Sequence, residues 1–183
     1  KTMNLTNTKV SEFEPIWSED GKYIYFSSER TAPNFPRGGK GESKVYQMAL
    51  DSYEKPFKMD KVTELFAQKD STKKDKKKET VNVQINPKGL MDRLTRISPK
   101  FGGQENISVI TAGDKTHVLY LSNHDEGKNK LWKTTIEDFE KNKTVSLGDK
   151  IISGYQYSTS KKKHYILASG IIHALDLSTN KLK

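Results

Sequence analysis

Four histidines, at positions 117, 124, 164 and 173, are the side chains best suited to bind a metal ion or move a proton near neutral pH. None of them stands in the His-Glu-x-x-His spacing that places two metal ligands on one helical face. His117 and His164 instead begin two similar apolar segments, which indicates a position repeated for structural reasons. The histidines therefore predict neither a metal centre nor a catalytic base.

The other groups that commonly carry catalysis are also outside their usual patterns. No serine lies in the Gly-x-Ser-x-Gly turn that exposes a hydrolase nucleophile. The glycine-rich residues 38–41 lack the spacing of a phosphate-binding loop, and residues 125–127 lack the alternating oxygen ligands of a calcium loop. The absence of cysteine excludes disulfides, thiol catalysis and thiolate metal sites. We therefore predict no catalytic residue, no cofactor and no bound metal in this chain.

Arg93 and Arg96 are the charged residues for which a functional role competes most strongly with a purely structural one. Residues three apart share one face of a helix but lie on opposite faces of a strand. One interpretation is a salt bridge within the fold. The other is a basic contact that lines a channel or meets a peptide carboxylate, because a guanidinium binds carboxylates with two parallel hydrogen bonds.

The net charge of +9 raises the question of an acidic partner such as nucleic acid. Much of the basic charge lies in a Lys-rich stretch at 67–80, which contains neither an arginine nor an aromatic residue. Stacking and bidentate phosphate contacts are therefore missing from it, and a solvated, flexible insertion is the favoured interpretation over nucleic-acid binding. No apolar run reaches the roughly 18 residues needed to span a bilayer, so no membrane span is expected.

Short strands joined by tight turns dominate the rest of the sequence. Asp20-Gly21 precedes the β-branched and aromatic residues 23–26, and residues 14–17 form the expected partner strand. Residues 44–50, 106–111, 117–122 and 130–135 show further strand patterns. Trp17 and Trp132 are expected to anchor the core, because large aromatic side chains dominate packing between sheets.

This strand-turn-strand pattern occurs about three times. The units span approximately residues 8–60, 79–138 and 144–183, and the Lys-rich stretch falls between the first two. Val81, Val83 and Ile85 alternate as in a strand, whereas the best of the weak helical signals covers residues 135–143. Repetition of small antiparallel units predicts an all-β repeat fold, with propeller blades as the main candidate.

Two segments resemble a known family. Residues 17–28 resemble the W-S-P-D-G-K-x-[IL]-x-[YF]-x-S signature of TolB-like propeller blades, with Glu19 in place of the usual proline. Residues 81–99 are similar to the V-x-I-D-x-D-G-[IL]-x-x-R-x-x-x-[IL]-P pattern in the propeller region of bacterial tricorn-type serine peptidases. Asn86 and Lys88 replace acidic residues of that pattern, which puts any role of those acids in doubt.

The resemblance implies a partial β-propeller of about three blades, without catalytic parts, from a larger serine endopeptidase that also carries a PDZ-like and a protease domain. Its implied role is structural, or the gating of peptide substrates. The alternative is a free-standing TolB-like protein-interaction module of the cell envelope. Implied partners are peptides and other domains of the same protein. Further copies of the chain are also expected as partners, because about three units are too few to close a propeller ring and leave blade edges open. The compartment is open between periplasm and cytoplasm, with the periplasm slightly favoured.

Overall fold

Antiparallel strands make up nearly all of the regular structure in the described part of the chain. A computed structural model describes residues 2–30, 42–53, 81–160 and 163–183, so the predicted insertion at 67–80 lies outside the described residues. The described strands form three four-stranded sheets, each built from four strands consecutive in the chain. In this part of the chain the one helix is a 3-10 turn, Leu90–Arg93. The predicted all-β, antiparallel fold class is confirmed, and the sheets have the form of propeller-like blades.

Every neighbouring pair of strands in the three sheets is antiparallel. The first sheet contains β1 (Glu12–Trp17), β2 (Tyr23–Ser28), β3 (Lys44–Ala49) and β4 (Leu94–Arg96). The second contains β5 (Gln104–Ala112), β6 (Lys115–Ser122), β7 (Lys130–Ile136) and β8 (Lys143–Ser146). The third contains β9 (Tyr155–Ser160), β10 (Lys163–Ala168), β11 (Ile171–Asp176) and β12 (Lys181–Leu182).

The short strand β4 belongs to the first sheet. It pairs with β3, with Arg96 opposite Tyr46 and Leu94 opposite Met48. The sequence pattern places this segment in a second unit, at 79–138. The chain instead pairs with the first sheet again at Leu94–Arg96, and the second sheet begins at Gln104.

The turn between β1 and β2 forms as its residues predict. Gly21 has a φ of 68°, a left-handed conformation that favours glycine. Asp20 Oδ1 accepts hydrogen bonds from Ser18 Oγ at 2.6 Å and from the Lys22 backbone N–H at 3.1 Å. A Cβ at Gly21 would lie 2.6 Å from Val81 Cγ1, so the segment that leads toward β4 packs against this turn.

Three apolar clusters hold the sheets together. One joins the first sheet to the second and includes Tyr25, Val45, Val118 and Tyr120. Another joins the second sheet to the third and includes Leu119, Leu121, Leu131, Ile166 and Ala168. A third covers the remaining face of the first sheet, where Leu5 packs on Ile24, Phe26 and Met48. The sheets therefore stack face to face in chain order.

Alternation along the strands gives each sheet a face toward the preceding sheet and a face toward the following one. In β6, His117 shares the face of Leu119, which packs toward the third sheet; in β10, His164 shares the face of Ile166, which packs toward the second. The two histidines therefore face each other across one interface. The prediction that they occupy equivalent repeat positions is wrong, because His164 faces the preceding sheet as Val118 does, and Val118 is the residue after His117.

The same comparison identifies the exposed face of the third sheet. Leu167 pairs with Ile172 as Leu121 pairs with Leu131 in the second sheet. Leu121 and Leu131 are covered by the third sheet, whereas Leu167 is 40% and Ile172 70% exposed. This apolar face of the third sheet is therefore open in the single chain.

Three local expectations differ from the structure. Residues 135–143 form no helix: β7 continues to Ile136, Phe139 takes a φ of 67° in a turn, and β8 starts at Lys143. Val81, Val83 and Ile85 lie in no strand and are partly exposed. Trp17 is 49% exposed, because alternation in β1 directs Ile16 toward the second sheet and Trp17 away from it.

Candidate binding clefts

Arg93 serves the first sheet as a structural brace. Its guanidinium donates hydrogen bonds to the backbone carbonyls of Ala49, Leu50, Asn86 and Lys88, with the Nη1–O distance to Lys88 at 2.7 Å. These carbonyls belong to the end of β3 and to the loop before the 3-10 helix. Among the described residues, Arg93 therefore contacts backbone carbonyls and not the carboxylate of a salt bridge.

Arg96 lies apart from that brace, half-buried in β4 at the edge of the first sheet. The structure therefore does not combine the two arginines into one site. A contact of either residue with a peptide or channel stays a prediction.

A polar connection between the first strands of the sheets was not visible in the sequence. β1 and β5 each contain a register irregularity, at which Glu14 and Asn106 take positive φ angles of 56° and 59°. Glu14 Oε2 accepts hydrogen bonds from the backbone N–H of Asn106 at 2.7 Å and of Ile107 at 3.3 Å. Asn106 Nδ2 in turn donates to the Tyr155 carbonyl at 3.1 Å. The bulged residue of the first sheet thus holds the first strand of the second, and that of the second sheet holds the first strand of the third.

The space between the first and second sheets forms a cleft of about 590 Å³ at the turn end of the sheets, which we call the tyrosine cleft. Tyr23, Tyr25 and Tyr53 line it together with Asp20 and Asp114. Burial raises the pKa of Tyr23, and Asp20 and Asp138 raise it further. Burial also raises the pKa of Tyr25, whose hydroxyl accepts a hydrogen bond from Gln47 Nε2 at 3.1 Å. These phenols therefore remain protonated and act as hydrogen-bonding groups.

A second cleft, of about 720 Å³, lies between the second and third sheets, and we call it the lysine cleft. Strand alternation and register place Lys115 and His117 of β6, Lys133 and Thr135 of β7, and Lys143 of β8 on one face of the second sheet. The turn after β11 closes the opposite wall. The same face becomes apolar further along the strands, where Leu119 and Leu131 enter the core.

Lys133 is the most buried charged group of the lysine cleft, at 3% exposure. Its Nζ donates a hydrogen bond to the Leu177 carbonyl at 2.9 Å. Burial lowers the pKa of Lys133, Asp176 acts in the opposite direction, and Lys115 and Lys143 lower the pKa further. The nearby carboxylate of Asp176 therefore does not fully compensate for the loss of hydration that burial imposes on the ammonium.

His117 lies beside this ammonium and is also buried, at 6% exposure. Its Nδ1 is 3.0 Å from Thr135 Oγ1. Burial lowers the pKa of His117 to about 4, and Lys133, Lys115 and His164 lower it as well. The imidazole is therefore neutral at neutral pH and adds no positive charge to the cleft.

The turn that closes the lysine cleft is fixed by Asp176. Its Oδ1 accepts hydrogen bonds from the Ser178 hydroxyl at 2.7 Å and from the backbone N–H groups of Ser178 and Thr179. These hydrogen bonds, led by that from the Ser178 hydroxyl, hold the pKa of Asp176 well below its usual range. The turn carries Asn180, whose buried Oδ1 has no hydrogen-bond partner among the described residues.

One serine and one histidine do meet, but in a structural contact. Ser122 Oγ lies 2.8 Å from His124 Nδ1 and also accepts the His124 backbone N–H at 3.2 Å. Ser122 is fully buried, and the His124 ring packs on Trp132 with a centroid distance of 4.1 Å. A nucleophile requires access to substrate, so this pair closes the turn after β6 rather than forming a catalytic dyad.

Within residues 2–30, 42–53, 81–160 and 163–183, no group of three or more histidine, aspartate or glutamate side chains is arranged to hold a metal ion. In the same ranges, no helix has the length and apolar character needed to cross a membrane. The chemistry that the two clefts offer is reversible binding through ammonium groups, carboxylates, phenols and amides.

The fold is similar to part of a solved structure described as the crystal structure of the tricorn protease. The match has a TM-score of 0.52 and 15% sequence identity, and it covers 96% of this chain and 17% of that one. The chain thus spans about a sixth of the length of the protein it matches. No family model and no curated protein matches the sequence. At this identity the likeness shows the fold alone.

Proposed function

We propose that the chain is a non-catalytic β-propeller segment of a tricorn-like serine peptidase. Its role is to organise the protein and to filter the peptides that reach the protease centre. The observation that carries the proposal is the succession of three four-stranded sheets in chain order, together with a fold likeness over 96% of the chain. The sequence resemblance at residues 17–28 and 81–99 supports the same family.

The geometry supports a filtering role through the two inter-sheet clefts. The tyrosine cleft carries carboxylates, and the lysine cleft carries ammonium groups. Both open at the end of the sheets where Glu137 lies, and this residue borders both clefts. A peptide that passes this end meets two surfaces of opposite charge, which is a physical basis for selection by side-chain charge.

The sequence of the gene on both sides of this chain tests the assignment. A tricorn-like parent requires a PDZ-like domain and a serine-protease domain after residue 183. A stop codon close to Lys183 would instead favour the free-standing TolB-like interaction module, in which the same clefts would bind a protein partner.

Self-association through open sheet edges belongs to the same proposal. Each four-stranded sheet has two edge strands, and the exposed Leu167 and Ile172 add an apolar face beside them. Sedimentation of the purified chain tests this. Self-association predicts an apparent molecular mass that rises with protein concentration, and a lower apparent mass for Ile172→Asp at the same concentration. A monomer at all concentrations contradicts it.

A further inference from the structure

The lysine cleft contains a buried ammonium whose hydrogen bonds are incomplete. An ammonium group has three donors, and the one partner of Lys133 Nζ among the described residues is the Leu177 carbonyl. Lys133 is 3% exposed, so water has little access to the remaining donors. A buried charge with unfilled donors is costly unless an anion or another acceptor completes the set.

The same cleft contains an acceptor without a donor. Asn180 Oδ1 is buried and lies without a hydrogen-bond partner in the described part of the chain. Asn180 and Lys133 both line the cleft, on opposite walls. A ligand that fits both groups must therefore present an anion to the lysine and an N–H or O–H donor to the amide oxygen.

The surrounding charge favours an anionic ligand. Four lysines, at 115, 133, 141 and 143, line the cleft with two glutamates, which leaves a positive balance of two. Lys115 is already paired with Glu137, with Nζ and Oε2 2.9 Å apart. Lys133, Lys141 and Lys143 remain to attract an incoming carboxylate, and a volume of about 720 Å³ is enough for several side chains.

We propose that the lysine cleft binds an acidic side chain within a peptide segment, with the carboxylate at Lys133 and a peptide N–H at Asn180 Oδ1. An aspartate or glutamate residue carries both groups within a few ångströms of each other. A phosphate diester offers acceptors only, and the described residues of the cleft wall include no Phe, Tyr or Trp on which a base could stack. This site rests on the proposed function in that its ligand is a peptide.

The experiment is a calorimetric titration of the full chain, at low ionic strength, with hexaglutamate whose two termini are blocked. Blocked termini exclude recognition of a terminal carboxylate, and blocked hexaglutamine is the neutral control. We expect hexaglutamate to bind at least about tenfold more tightly than hexaglutamine. Lys133→Met should remove about tenfold of that affinity, whereas Lys128→Met, at an exposed lysine outside both clefts, should leave it unchanged.

A second variant keeps the test valid if Lys133→Met folds poorly. Asn180→Asp places a negative charge in the same cleft, and aspartate tolerates the φ of 58° found at this position. It should weaken hexaglutamate binding roughly fivefold or more without weakening hexaglutamine. Equal binding of the two peptides, or unchanged hexaglutamate affinity in both folded variants, would overturn the proposal.

Two further arms distinguish an acidic-peptide site from a nucleic-acid site and from peptide binding elsewhere on the chain. Oligothymidylate that binds the chain more tightly than hexaglutamate, and that loses affinity in Lys133→Met, would assign the cleft to nucleic acid and overturn the proposal. Peptides of mixed sequence that bind the chain without competition from hexaglutamate would overturn the acidic site and leave the peptide-filtering function standing. A chain that binds no peptide at all would contradict both.

Discussion

Glu14 in β1 and Asn106 in β5 are joined by a hydrogen bond in which the Glu14 carboxylate accepts the Asn106 backbone N–H at 2.7 Å. Both residues occupy the bulge of the first strand of their sheet, with positive φ angles. Asn106 then reaches the Tyr155 carbonyl of the third sheet. A repeated backbone irregularity therefore fixes the order and spacing of all three sheets.

Replacing Glu14 by alanine should destabilise the chain by about 2 kcal/mol, because the N–H groups of Asn106 and Ile107 lose a charged acceptor. Urea unfolding followed by circular dichroism measures this. Glu19→Ala, an exposed carboxylate in the following turn, is the matched control and should change stability by less than about 0.5 kcal/mol. Equal effects of the two substitutions would show that the Glu14 contact does not hold the sheets.

Alanine substitutions at two glycine turns distinguish the cost of a left-handed backbone from the cost of a steric clash. Gly21 and Gly113 have nearly identical φ angles of 68° and 67°. A Cβ at Gly21 would meet Val81 and Val83 within 3 Å, whereas a Cβ at Gly113 meets nothing within 4 Å. Gly113→Ala should cost about 1 kcal/mol from the left-handed backbone alone, and Gly21→Ala about 1 kcal/mol more. The unfolding free energies of the two variants test this, and a smaller loss for Gly21→Ala would mean that Val81 does not pack on the turn.

Arg93→Lys should lower stability by about 2 kcal/mol, because lysine cannot donate to carbonyls at the end of β3 and in the following loop at once. Retention of peptides by the folded variant should be unchanged. Arg96→Lys serves as the control in the same segment and should cost less. A loss of peptide retention in Arg93→Lys with unchanged stability would favour the channel-contact interpretation of this arginine.

His117 should make stability depend on pH on the acidic side of neutrality. Its pKa in the folded chain is lowered to about 4, mainly by burial, from an ordinary value of 6.5. Between these pH values the unfolded chain binds a proton that the folded chain does not, so stability rises with pH. We expect a loss on the order of 2 kcal/mol as the pH falls from 6.5 to 4.

The control for this pH dependence is a pair of variants. His117→Gln should flatten the dependence of the unfolding free energy over that range, whereas His173→Gln in β11 should retain it. An unchanged slope in His117→Gln would assign the pH dependence to other groups.

Features set by neighbouring residues could be predicted from the sequence. The Asp20-Gly21 turn depends on contacts within residues 18–23, and the alternation in β3 and β6 depends on each strand alone. Local pattern also misled in places. Residues 135–143 carry a weak helical pattern, but the pairing of β7 with β8 makes this segment the turn that connects the two strands. Trp17 has the side chain of a core residue, yet its place in β1 directs it outward.

The candidate clefts could not be predicted, because they depend on contacts between distant residues. Glu14 and Asn106 are 92 positions apart, and Lys133 meets Leu177 across 44 positions. In the sequence, Lys133 is one lysine among many and Asn180 is an ordinary turn residue. Only the stacking of the second sheet on the third buries the lysine and leaves the amide oxygen without a donor among the described residues.

The most direct test of the proposed function is to incubate the purified chain with a peptide pool of mixed sequence and to analyse retained peptides and cleavage products by mass spectrometry. A non-catalytic filtering segment predicts that a subset of peptides is retained intact, with charged peptides enriched, and that no new fragments accumulate. Two results would contradict the account. One is cleavage activity that co-purifies with the chain, so that the amount of fragments follows the amount of chain at every purification step. The other is that the chain retains no peptide.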